Sequence, residues 1–236
     1  MLSYFVFDGA SCASVDMYVT DAGIDEVPER DISEIEIPGR NGTLVIDNKR
    51  HRNVIIEYPA VIINNFRDNY DALKQILLTK GSNYYELWDG FTPNTFRMAR
   101  FSAITGMKQT IHADKATFRV VFDCKPQRYL VTGKTRLTFT EDGVINNPTA
   151  YASKPLLRVY GDGVIGIGDT TMQITYSNSY IDIDCETMEC YKESANRSAY
   201  VINRGIDFPS LTPGSNNITL GTGISKIEVV PRWYVL

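Results

Sequence analysis

Hydrophobic and polar positions alternate with a two-residue period through most of this chain, the signature of half-buried strands. The pattern predicts strands over 33–37, 43–46, 53–62, 96–101 and 116–122 in the first half. It continues over 155–160, 164–167, 172–176, 180–185, 217–220 and 224–230 in the second. Between the first two strands, Pro38-Gly39-Arg40-Asn41-Gly42 supplies turn chemistry. A hairpin is expected there, with Ile35, Ile37, Leu44 and Ile46 facing one core.

One segment breaks the rhythm. Phe66, Tyr70, Leu73, Ile76 and Leu77 recur at three- and four-residue spacing between Asn64-Asn65 and Gly81, which predicts an amphipathic helix packed on a sheet. Composition changes near Val131-Thr132-Gly133-Lys134, and a second series of short strands with Gly, Asn, Asp and Ser turns follows. We expect two domains, 1–134 and 135–236, both mainly β, the second an antiparallel sandwich.

The 236 residues are 43% hydrophobic and 22% charged, ordinary for an ordered globular protein. The 24 Lys and Arg against 28 Asp and Glu leave a formal net charge of −4, and neither half is a basic nucleic-acid module. The apolar run 2–7 is too short for a signal-peptide core, and no stretch approaches the roughly 20 residues of a membrane span. Membrane insertion is not expected. Cys12, Cys124, Cys185 and Cys190 form no CxxC pair, so buried thiols are expected, with a Cys185–Cys190 bridge as the lesser alternative.

Candidate chemistry is thin. Gly161, Gly163 and Gly166 match G-x-G-x-x-G after a strand, yet the residues that follow are β-prone rather than helical, so tight β-turns are expected instead of a dinucleotide loop. Asp182, Asp184 and Glu186 fall on one face of a strand, where a solvated acidic face is expected before a cation site. The two histidines, His51 and His112, lie in no nucleophile context. No catalytic residue, metal or cofactor is assigned. Trp233 is expected in a core, with sugar stacking as the alternative. Arg40 and Arg232, beside rigid Pro/Gly turns, are candidates for intersubunit hydrogen bonds, together with Pro38, Gly39, Asn41 and Gly42.

One ordered series runs along nearly the whole chain. It comprises Ile37-Pro-Gly-Arg-Asn-Gly42, Asn53-Val-Ile-Ile-Glu-Tyr58, the helix from Phe66, Tyr84-Tyr85-Glu86-Leu87 and Asn147-Pro148, then Ser153-Lys-Pro155, Gly161-Asp-Gly163, Ile183-Asp184 with Glu186-Thr-Met188, Phe208-Pro-Ser-Leu-Thr-Pro-Gly214 and Pro231-Arg-Trp233. In this order the motifs resemble the distal tail protein family of long-tailed, non-contractile bacteriophages. The resemblance implies a tail-tube-like β-sandwich or barrel with one α-helix, followed by a galectin-like antiparallel β-sandwich. It implies a virion protein, assembled in the host cytoplasm, that forms a homohexameric ring joining the tail tube protein to the tail-tip protein. Such a ring supports receptor-binding proteins, and DNA only passes through its channel. The second half has no histidine, so the usual galectin sugar-binding signature is missing. A carbohydrate-binding module of a virion or cell-surface protein is the alternative reading.

Overall fold

The computed structural model describes residues 4–22, 27–110, 114–176 and 178–236. The chain divides into two compact units, 1–128 with Leu236, and 129–235. The first contains β1 (Phe5–Phe7), β2 (Ala10–Ser11), β3 (Met17–Val19), β4 (Arg30–Glu36), β5 (Thr43–His51), β6 (Val54–Ile62), α1 (Phe66–Leu78), β7 (Tyr85–Asp89), β8 (Thr95–Thr110) and most of β9 (Lys115–Leu130). Its main sheet runs β2-β1-β7-β8-β9-β6-β3.

Alternation becomes burial most plainly on β6, where Val54, Ile56, Tyr58, Ala60 and Ile62 all turn into the core. There they meet Phe5, Phe7 and Phe122, with Phe5 and Phe122 edge-to-face at 5.2 Å between ring centroids. Phe66, Leu73 and Leu77 of α1 are buried in the same cluster, and Tyr70 and Ile76 pack against it. The three- and four-residue spacing is thus one helix face seated on the sheet.

The second unit is a sandwich. Its strands are β10 (Leu137–Phe139), β11 (Gly143–Asn147), β12 (Leu156–Gly161), β13 (Gly163–Ile167), β14 (Thr170–Ile174), β15 (Tyr180–Asp184), β16 (Glu189–Lys192), β17 (Ala195–Asn196), β18 (Val201–Asn203), β19 (Gly214–Leu220), β20 (Ile224–Val230) and β21 (Tyr234–Val235). A six-stranded sheet, β10-β20-β12-β15-β16-β17, and a five-stranded sheet, β11-β19-β13-β14-β18, contribute to one core. From the first come Leu157, Val159, Ile181, Ile183 and Ile227, and from the second Ile165, Ile167, Ile174 and Ile218. Trp233 lies in this core at 5% exposure, so its indole is no platform for a sugar.

The glycine triplet follows from strand crowding. A Cβ on Gly161 would stand 2.1 Å from the Gly223 carbonyl oxygen, and one on Gly163 2.4 Å from that of Thr222. Gly161 also has φ +108, in the region that favours glycine. The segment continues directly into β13 and β14, antiparallel to each other, where a dinucleotide loop would open a helix.

Candidate assembly surfaces

The hairpin forms, but not against a core. β4 and β5 make a two-stranded sheet of their own, with Ile35 opposite Leu44 and Ser33 opposite Ile46. Ile35, Ile37, Leu44 and Ile46 remain 38–46% exposed, which corrects the expectation that they are buried. Alternation places them on one side of the ribbon, but among the described residues no third strand extends the ribbon. The opposite side carries Glu34 and Glu36 together with the exposed Ile32 and Val45. The ribbon therefore presents one apolar face and one mixed face.

Its base is braced by charge. Arg50 Nε donates to Asp31 Oδ2 at 2.6 Å, Arg52 Nη2 to Asp31 Oδ1 at 3.3 Å, and Arg30 Nε to Asp47 Oδ2 at 3.1 Å. The hydrogen bond from Arg50 is the main reason the Asp31 carboxyl titrates below its ordinary range, and Arg30 acts likewise on Asp47. The pairing shifts register between Arg30 and Ile32, opposite Lys49 at φ +56, so an irregular turn of β5 sits within this cluster. At the tip, Arg40 N–H donates to the Ile37 carbonyl at 3.1 Å, and Gly39 and Gly42 adopt φ +80 and +81. Pro38, Gly39, Arg40, Asn41 and Gly42 are all exposed there.

Arg232 belongs to the other unit and has partners within it. Its Nη1 and Nη2 donate to Asp184 Oδ1 and Oδ2 at 2.7 and 2.8 Å, and Glu186 Oε2 lies 3.7 Å away. Arg158 clasps Asp182 in the same two-pronged way, at 2.7 and 2.9 Å, with its guanidinium 4.1 Å from the centre of the Tyr180 ring. Asp182 and Asp184 are buried rather than solvated, because these two arginines cover them. Burial pushes the Asp184 carboxyl up, but the hydrogen bonds and charge of Arg232, together with the N–H groups of Glu186 and Thr187, outweigh it and the net shift is downward. Among the described residues, no group of three or more His, Cys, Asp or Glu could hold a metal ion.

The remaining candidates are accounted for locally. His51 ends β5 opposite Arg30, and His112 lies outside the described residues. All four cysteines are buried free thiols, Cys190 standing opposite Ile183, and burial pushes Cys12 and Cys190 up to about 11 and Cys124 and Cys185 up to about 12. Trp88 stacks on Phe96 at 4.8 Å and donates from Nε1 to Glu86 Oε2 at 3.1 Å. No helix among the described residues is long and apolar enough to cross a membrane.

Sequence reasoning missed two buried asparagines. Asn147 Nδ2 donates to the carbonyls of Tyr151 and Leu211, both at 2.9 Å, while its Oδ1 accepts from the N–H and hydroxyl of Thr149. Asn216 bonds the Thr212-Pro213-Gly214 turn in the same manner. Each stands beside a Pro-containing turn, which was the available signal.

No protein-family model matches the chain, and neither does any curated protein. Solved structures do. SPP1 Dit (gp 19.1), described as a paradigm of the hub adsorption apparatus in phages infecting Gram-positive bacteria, superposes with a TM-score of 0.75 at 13% identity over 100% of both chains. Chains of the phage P2 baseplate in its activated conformation, with Ca and with Sr, match at TM-scores of 0.51 and 0.50, each at 9% identity and 97% coverage of both chains. The likeness at these identities is one of fold, and it runs the length of the molecule.

Proposed function

We propose that the chain is a structural hub of a phage tail tip, six copies of which close into a ring between the tail tube and the tail-tip protein. The observation that carries this reading is the β4–β5 ribbon, whose apolar face is left exposed on a fold shared along its whole length with a phage hub protein. Exposed contiguous apolar surface marks an interaction site, and an isolated two-stranded ribbon is marginal in water without something to pack on. A ribbon on one copy that meets a different surface of the next makes a heterologous contact, the kind that closes into a ring. The exposed tip at 38–42 is the foremost contact. Arg232, clasped by Asp184, contributes by fixing the end of the second unit rather than by reaching across.

On this reading the first unit forms the ring and the second carries adhesion proteins, with no turnover and no cofactor. The protein is a virion component assembled in the host cytoplasm, and DNA passes through the channel without being gripped. Negative-stain imaging with light scattering tests it. We expect six-fold rings from the wild type and their loss in Ile35→Lys/Leu44→Glu, a pair that keeps opposite charges across the ribbon and so preserves strand pairing. Monomers alone from the wild type, both free and when mixed with its neighbouring tail proteins, would overturn it.

A further inference from the structure

The sequence contains one Asn-Gly step, Asn41-Gly42, and the fold sets it at the tip of the β4–β5 ribbon. Both residues are exposed. The Arg40 N–H is taken up by the Ile37 carbonyl, but among the described residues neither the Asn41 side-chain amide nor the Gly42 N–H has a hydrogen-bond partner. Gly42 has φ +81, and a Cβ built on it would meet nothing within 4 Å, so the backbone nitrogen that follows Asn41 is open to approach.

The comparable steps elsewhere are tied down. Asp8, before Gly9, accepts from Lys80 Nζ at 2.6 Å. Asp89 Oδ1 accepts from the Phe91 N–H at 2.9 Å, and the Gly90 N–H donates to the Tyr4 carbonyl at 3.2 Å. Asp142 Oδ1 accepts from the Leu220 N–H at 2.8 Å, and Gly163, after Asp162, pairs with Ile174 in β13. The amides of Asn147 and Asn216 are wholly engaged in their turns.

We propose that Asn41 is a site of spontaneous modification in the free chain, its side chain cyclising onto the Gly42 nitrogen to give a succinimide that water opens to aspartate or isoaspartate. The Gly42 N–H gives its proton to hydroxide or a buffer base, and the nitrogen forms a bond to Asn41 Cγ. The Cγ–Nδ2 bond breaks, and Nδ2 leaves as ammonia with a proton taken from water. One water then opens the ring. Opening at Cγ gives aspartate, whereas opening at the Asn41 carbonyl carbon leaves the chain running through Cβ and Cγ as isoaspartate. A peptide nitrogen is a poor nucleophile because its lone pair is delocalised, so open approach and a neighbour without Cβ decide where the reaction occurs. Either product sets a new negative charge beside Arg40 at the tip. On the ring reading, on which this consequence rests, the tip is the foremost contact, so assembled copies are shielded and altered free copies close rings less well.

Peptide mapping of the full chain, aged in mildly alkaline buffer and cleaved after Glu36 to release the tip, tests this. We expect the Asn41 amide to convert to acid about tenfold or more faster than those of Asn147 and Asn216, which must first break their hydrogen bonds. Isoaspartate should be among the products, as read by labelling with an isoaspartyl methyltransferase. Asn41→Gln, whose longer side chain would have to close a larger ring, should stop the conversion and leave the melting temperature unchanged. Ile35→Lys/Leu44→Glu supplies free copies whatever the wild type does, and Asn41 should convert there at the full rate but several-fold more slowly in isolated wild-type rings. Conversion in those free copies no faster than at Asn178, which precedes Ser179, would overturn the modification, and so would aspartate without isoaspartate. Equal rates in rings and free copies would overturn the shielding alone. Absence of rings would count against the ring reading, with the rate in free copies still deciding the modification.

Discussion

Asn216 uses its whole side-chain hydrogen-bonding capacity, donating to the Thr212 and Gly214 carbonyls and accepting from the Thr212 N–H and hydroxyl. Removing it strands buried polar groups rather than merely losing bonds, at a cost of roughly 1–3 kcal/mol. Asn216→Ala should therefore lower the melting temperature of the second unit by about 10 °C, as read by calorimetry. Arg232→Ala should cost about as much or more, since it leaves a desolvated Asp184 carboxylate without its cation. The two changes differ in pH dependence. Asp184 has a lowered pKa in the wild type, so its contribution is complete above the ordinary value of 3.8 and is lost as pH falls through the lower folded value. In Arg232→Ala the upward push of burial is opposed only by the N–H groups of Glu186 and Thr187, so the loss of stability on acidification through this residue should shrink. Unfolding curves between pH 3 and 7 would show the slopes diverging. None of these pairings could be read from sequence. Alternation puts Asp182 and Asp184 on one side, but their covering arginines lie 24 and 48 residues away.

At the scale of elements, the helix was legible because its own spacing defines a face, and the sheet beneath only has to accept it. The hairpin was half legible. Pro38-Gly39 and Asn41-Gly42 announce the turn and alternation assigns Ile35, Leu44 and Ile46 to one side, yet period cannot say whether anything covers that side. Its charged base was not foreseen, because Asp31 and Asp47 draw on arginines of the opposite strand. That bracing makes the ribbon acid-sensitive. Both carboxyls titrate below 3.8, so their support is present above that value and disappears as pH falls through the lowered ones. Hydrogen exchange near pH 3 should show amides of 30–51 losing protection before those of β6. Asp31→Asn should show the same loss at pH 7, whereas a ribbon held by its backbone ladder alone would exchange identically in both proteins.

For the whole molecule, the decisive question is whether copies are held together by charge or by apolar contact. Each chain carries a formal net charge of −4, so the six copies of the proposed ring would bring together six times that charge. Long-range repulsion then opposes assembly, and it is screened beyond about 30 Å at 10 mM salt but beyond only a few ångströms near 1 M. The candidate surface is the apolar side of the β4–β5 ribbon, whose Ile35, Ile37, Leu44 and Ile46 offer no ion pairs that salt would weaken. Raising salt should consequently shift sedimentation profiles toward larger species, and lowering it toward monomer. Ile35→Lys/Leu44→Glu should remove the largest species at every salt concentration. Dissociation of wild-type assemblies by salt would instead place ion pairs at the contacts and rule out the apolar side of the ribbon as their basis.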